Sequence, residues 1–168
     1  ATVNPGGGAY YQAANAGGGD AFILKINSAT VSTWATFYGG PGNDWARAIV
    51  VDPYSDVFVA GETSGGTLPT QNPGCNAYYQ PSNAGAWDLF ILKFNNAGVR
   101  NWATFYGGNG NDRSAAWWSY DIAITTDSCN FYLIAESDGM SFNNVPTLNP
   151  GGGSFFQGLS AGSTDPII

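Results

Sequence analysis

The sequence predicts an all-β protein made of tandem four-stranded antiparallel units, about two and a half of them. Three observations predict it. The chain repeats itself: Asn4-Pro5-Gly6, Ala9-Tyr10-Tyr11-Gln12, Phe22-Ile23-Leu24-Lys25 and Trp34-Ala35-Thr36-Phe37-Tyr38-Gly39-Gly40 return as Asn72-Pro73-Gly74, Ala77-Tyr78-Tyr79-Gln80, Phe90-Ile91-Leu92-Lys93 and Trp102-Ala103-Thr104-Phe105-Tyr106-Gly107-Gly108. A repeat of this length is one supersecondary unit that cannot bury its apolar face alone and stacks on its neighbours. Charged residues make up only 10% of the 168 residues, while 15% are aromatic and 24 are glycine. That composition belongs to many short strands joined by tight turns.

Four strand signals occur per repeat. Ala48–Asp52 is a short apolar run that ends at the turn cluster Pro53-Tyr54-Ser55-Asp56. Val57–Glu62 follows at once, so the two form a hairpin. A long Gly/Pro/Asn-rich connection runs from Thr63 to Trp87. Asp88–Phe94 is the third strand and Asn95-Asn96-Ala97-Gly98 the next turn. Arg100–Tyr106 is the fourth, with Trp102, Thr104 and Tyr106 on one face and Ala103 and Phe105 on the other. These are strands A to D. Strand A is the most uniformly apolar, as expected of a strand buried on both faces, so Ile49, Val51, Ile122 and Ile124 are expected in the core. Four antiparallel strands with a short buried first strand describe a β-propeller blade.

The expected units are residues 1–46 (strands C and D), 47–112 (A to D) and 113–168 (A and B with an aromatic loop). The N-terminal pair is Ala21–Asn27 with Thr33–Tyr38. The C-terminal hairpin is about Asp121–Thr125 with Phe131–Glu136, after which the chain is expected to divert at Asp165-Pro166. A third copy of the opening motif appears at Asn149-Pro150-Gly151 with Phe155-Phe156-Gln157. The paired aromatics Tyr10-Tyr11, Tyr78-Tyr79 and Phe155-Phe156 are expected to staple the long connection to its blade, one ring inward. A long structureless loop would be unusual in a compact domain.

Composition excludes several functions. Net charge is −7 with five cations and no basic stripe, which argues against nucleic acid. No long apolar run or basic amphipathic segment supports membrane insertion, and the long polar connections argue against a transmembrane barrel. There is no histidine, so Ser-His-Asp and Cys-His catalysis cannot be built. The few carboxylates, Asp20/Asp88 and Glu62/Glu136, recur in every unit and read as structural caps. No enzymatic activity is expected. Cys75 and Cys129 read either as idle thiols or as a disulfide.

The runs Asp20–Asn27, Trp34–Asp44, Ala48–Asp52 and Val57–Ser64 together resemble the bacterial SBBP-type β-propeller repeat. The resemblance covers nearly the whole chain and implies a secreted or surface-exposed bacterial protein of many tandem blades, defined by structural positions with no catalytic residues. The start at Ala1 inside a repeat reads as a processed or trimmed piece.

Three groups of candidate site residues remain. Gly39–Asp44 and Gly107–Asp112 match the opening of a calcium nonapeptide, which makes Asn43, Asp44, Asn111 and Asp112 candidate ligands. They occur once per repeat and not in tandem, so a tight turn capped by Asp is the favoured reading, and no cofactor other than that calcium is considered. Trp117, Trp118 and Tyr120 sit in an insertion and could stack on sugar rings. Phe22, Leu24, Trp34 and Phe37 at one end, with Phe131 and Leu133 at the other, mark open β-edges that favour self-association by strand addition. The expected function is an extracellular or cell-surface structural or adhesive protein that assembles head to tail into a filament or larger structure. The alternative is a carbohydrate-binding β-propeller module, with polysaccharide as partner.

Overall fold

A computed structural model describes residues 2–113, 123–126, 130–138, 145–148, 152 and 164–167. The strands are β1 (Ala21–Ile26), β2 (Ser32–Tyr38), β3 (Asp44–Val51), β4 (Val57–Thr63), β5 (Asp88–Phe94), β6 (Arg100–Tyr106), β7 (Asn111–Arg113), β8 (Ala123–Thr126), β9 (Phe131–Asp138) and β10 (Thr164–Ile167). The protein is all-β, as expected. β3-β4-β5-β6 form one antiparallel four-stranded sheet, the complete A-to-D unit. β1 and β2 pair as the C and D strands of the unit before it. In the third unit β7 and β8 both pair with β9 as two pieces of strand A, and β10 pairs on its other side.

Side-chain alternation explains why the sheets stack. Val57, Val59, Phe90, Leu92 and Phe94 share one face of the central sheet. They bury with Ala103 and Phe105 against Ala21, Ile23, Trp34 and Tyr38 of the first unit. On the opposite face, Ala60 and Leu89 bury with Ala135, with Ala48, Tyr106, Ile124 and Leu133 packed around them. Two apolar seams thus join three units.

One polar turn recurs three times. Asn27 Oδ1 accepts the N–H groups of Ala29 and Val31; Asn95 Oδ1 those of Ala97 and Val99; Asp52 Oδ1 those of Tyr54 and Asp56. Each turn has one left-handed residue: Thr30 at φ 61°, Gly98 at 81° and Ser55 at 67°. Only glycine adopts this region without a steric penalty. Thr30→Gly is therefore expected to raise unfolding stability by about 0.5–1 kcal/mol, read from the urea midpoint. A lower midpoint would contradict the turn assignment.

The long connection is ordered along the outer side of the fourth strand. Val3 bridges Ala35, and Gln71 bridges Ala103 at the corresponding position of the next repeat. Phe37 N–H donates to the Gln12 carbonyl and Phe105 N–H to that of Gln80. Tyr10 packs into the first seam against Tyr38 and Phe94, so it is the inward ring of its pair. Tyr78 lies on Tyr106, while Tyr11 and Tyr79 bond to Thr2 and Thr70. Phe155 and Phe156 lie outside the described residues.

Three expectations need correction. Strand A is not buried on both faces: Ile49 and Val51 are 60% and 56% exposed. Ile49 stands opposite Val59 and Val51 opposite Val57, so they share the face turned toward the first unit. That unit supplies only β1 and β2, and nothing among the described residues covers the β3 end. Ile124, opposite Leu133 as Ile49 is opposite Val59, does have a neighbouring unit and is packed into the second seam. Ile122 lies outside the described residues. Second, strand A begins earlier than expected, at Asp44 and Asn111, because the Gly-Asn-Asp segment already pairs with the next strand. Third, the chain does not divert at Asp165-Pro166. β10 pairs Asp165 with Ser137, the register in which Asp88 pairs with Thr63, and so occupies the beginning of the third unit's strand C.

Candidate functional site

Two features stand out: an apolar face left open and a polar clamp repeated in each unit. The open face lies on β1. Phe22, Leu24 and Ile26 are 45%, 45% and 55% exposed. Their counterparts one repeat on, Phe90, Leu92 and Phe94, are each 0% exposed. Phe37, half-buried, meets Phe22 edge to face at 5.2 Å, whereas its counterpart Phe105 is fully buried. The same side chains in the same strands are therefore covered once and open once. The difference is the neighbour: the first unit covers the second. These exposed side chains form the candidate contact surface of the first unit. Nearby, Lys25 donates to the Asn96 carbonyl at 2.7 Å, so that cation is tied to the second unit.

The other residues expected at open edges lie elsewhere. Trp34 is buried in the first seam against Phe94 at 5.6 Å. Phe131 stacks on Phe58 at 5.5 Å, and Leu133 packs into the second seam. These three hold units together within the chain. Alternation along a strand carries adjacent residues to opposite faces, and the choice of edge residues did not separate the two faces.

The polar clamp includes two of the candidate calcium ligands. Asp44 is fully buried; its Oδ1 accepts from the Thr63 hydroxyl at 2.5 Å and its Oδ2 from the Gly40 N–H at 2.7 Å. Asp112, also fully buried, accepts from the Gly108 N–H at 2.7 Å. Asn43 and Asn111 act through the backbone, each bridging the segment before a third strand, at Gly19 and Trp87. The carboxylates therefore take the part of turn caps. Among the described residues no three His, Cys, Asp or Glu side chains gather. Burial pushes the Asp44 carboxyl above its usual range, against the lowering effect of the Thr63 and Gly40 hydrogen bonds.

Asp20 and Asp88 complete the clamp. Asp88 Oδ2 accepts from Gln80 Nε2 at 2.9 Å and from the Ala84 N–H at 2.8 Å. Asp20 Oδ2 does the same with Gln12 Nε2 at 2.6 Å and Ala16 N–H at 2.9 Å. The amide oxygens of Gln12 and Gln80 accept from the Tyr10 and Tyr78 hydroxyls and from the N–H groups of Gly39 and Gly107. A Cβ on Gly107 would lie 2.8 Å from Asp88 Oδ1 and 2.9 Å from Asp112 Oδ2, so the first glycine of each pair makes room for carboxylates. The sequence reading noted the aspartates and glycines separately and missed the glutamines. Recurrence of Gln12 at Gln80 was the available signal.

Trp117, Trp118 and Tyr120 lie outside the described residues, as does Cys129. Cys75 is exposed on a left-handed turn residue at φ 52°. Among the described residues no helix is long and apolar enough to cross a membrane.

No curated protein matches the chain. Residues 33–69 match the model of the SBBP beta-propeller repeat. The matched segment runs from β2 through β3 and β4 into the long connection, and so spans the passage from the first unit to the second. The all-β, antiparallel, four-stranded unit around that segment is consistent with its similarity to the SBBP beta-propeller repeat.

Proposed function

We propose that the chain is a non-catalytic structural module of an extracellular or cell-surface assembly, and that further copies add to it head to tail. One observation carries the reading: Phe22, Leu24 and Ile26 are open where their repeat counterparts are wholly buried by a neighbouring unit. A surface that the same chain covers elsewhere with its own repeat is complementary to that repeat. The low charge and high aromatic content suit a rigid scaffold, and the low Lys and Glu content and the family resemblance are what support an extracellular setting.

The joint is a face, not a shared strand edge. β10 already takes Ala135–Asp138 of β9, which restricts strand addition there. A heterologous face-to-face contact gives a ring if the rotation closes and a filament if it does not.

Sedimentation velocity of the full chain over about 1–100 µM tests this, a range around the micromolar affinities of modest interfaces. Concentration-dependent association is expected. Phe22→Asp should weaken it about 30-fold or more, the scale of losing a central interface anchor. A chain that stays monomeric throughout, or a Phe22→Asp variant that associates as the parent does, would overturn the reading.

A further inference from the structure

We propose that a cleft between the first and second units binds a sugar acid, free or as a residue of an acidic polysaccharide, with the Arg100 guanidinium taking its carboxylate. The cleft has a volume of about 300 Å³ and is lined by Gly8, Ala9, Tyr10, Tyr11, Gln71 and Arg100. That volume is at the small end of ligand pockets and suits a single ring. Both units build it. Gly8 to Tyr11 belong to the connection ahead of β1, Gln71 to the connection ahead of β5, and Arg100 opens β6. The Tyr10 N–H donates to the Gly98 carbonyl at 3.0 Å, which ties the two walls together. All six residues come from one chain, so binding needs no assembly.

Arg100 carries the argument. Its guanidinium lies over the Tyr10 ring at 4.6 Å, Nε donates to Gln71 Oε1 at 3.2 Å, and Nη1 donates to the Pro69 carbonyl. These partners are neutral. Arg47 pairs with Glu62 and Lys93 with Asp56, whereas no carboxylate among the described residues forms an ion pair with Arg100. An arginine whose plane is fixed and whose charge is uncompensated is preorganised for a planar anion. It has five N–H donors, more than these partners take. Around it the cleft offers the Gln71 amide and the Tyr11 hydroxyl, the latter held by Thr2 Oγ1 at 2.9 Å. Neutral amide, hydroxyl and aromatic groups beside one cation suit a ring that carries both hydroxyls and a carboxylate.

The repeat supplies a second argument. Gln71 bridges Ala103 as Val3 bridges Ala35, and Arg100 stands opposite Phe94 as Ser32 stands opposite Ile26. The fold therefore forms these pairings with a valine and a serine in the first unit. Strand pairing does not demand the amide and the guanidinium, yet the two meet in one cleft. Gly8 is exposed and has no atom within 4 Å of its Cβ position, which leaves that side of the cleft open.

Isothermal titration of the full chain at about 150 mM salt, which screens its net charge of −7, tests the proposal. The probes are galacturonate and a short oligogalacturonate, with galactose and a short neutral galactose oligomer as controls. The acidic probes should bind about 10-fold or more tightly than their neutral counterparts, the scale of one hydrogen-bonded charge. Binding of both acids supports a one-residue site, and binding of the oligomer alone supports recognition within a polysaccharide. Arg100→Ser, which installs the first unit's residue, should remove the preference for the acid. Arg100→Lys keeps the charge without the fork and should weaken binding about 10-fold. Gln71→Val should weaken it about 3–10-fold. Equal binding of acidic and neutral probes would overturn the proposal, as would parental affinity in Arg100→Ser. So would no binding of either acid up to about 10 mM, weaker than any specific site of this size should show. Should Arg100→Ser not fold, Gln71→Val and the acid preference of the parent chain decide.

Discussion

Phe90→Ala should destabilise the fold by about 3–5 kcal/mol, while Phe22→Ala, the same position one repeat earlier, should cost about 1 kcal/mol or less. Phe90 is wholly buried in the first seam, with its ring 5.7 Å from Tyr38. Truncation there leaves a cavity bounded by two sheets that cannot collapse independently. Phe22 has an open face and one edge contact with Phe37, so truncation removes part of one aromatic contact and creates no cavity. Urea midpoints measured at concentrations where the chain is monomeric give both values. Equal losses would mean that Phe22 is covered within the single chain, which would also remove the basis for assembly through that face.

Gly40→Ala is the second large effect. A Cβ at Gly40 would lie 1.9 Å from the Thr67 carbonyl oxygen, a backbone atom that no rotamer change can move. Gly40 N–H also donates to buried Asp44 at 2.7 Å, so a backbone shift to relieve the clash would strain that cap. A loss of about 3 kcal/mol or more is expected. Gly66→Ala is the control: nothing lies within 4 Å of its Cβ position, and its φ is outside the left-handed region. It should leave stability within about 0.5 kcal/mol or raise it by up to about 1. Comparable losses at the two positions would mean that general chain stiffening, and not the Thr67 carbonyl, decides the outcome.

Much of this fold was legible in the sequence because the repeat supplied its own comparison. Asp88–Phe94 and Arg100–Tyr106 match β5 and β6 at both ends, since Asn95 and Gly98 punctuate them with a turn whose chemistry is local. Val57 likewise opens β4 after the Asp52 turn. What local pattern could not give was which face of each strand has a neighbour. Ile49 and Val51 carry apolar side chains on the face turned toward the first unit, yet whether that end of the face is covered depends on the chain around them and not on the residues. Trp34 and Phe37 illustrate the same limit, one buried and one half-open within a single strand. The clamp was half legible. Asp44 and Asp112 announced themselves through glycine-rich spacing, and the capping reading fits their donors. Their partners Asp20, Asp88, Gln12 and Gln80 come from distant segments, and only the folded connection brings them together.

The one-sided seam of the first unit sets an order of opening. β1 and β2 are sealed on one face only, whereas β4 and β5 are sealed on both. Among the described residues the β1–β2 hairpin is thus less well sealed than the central sheet, and it can fray while that sheet persists. Under the proposed assembly, a further unit laid on Phe22 and Leu24 would convert that fraying end into an interior one, as the next course of bricks covers the last.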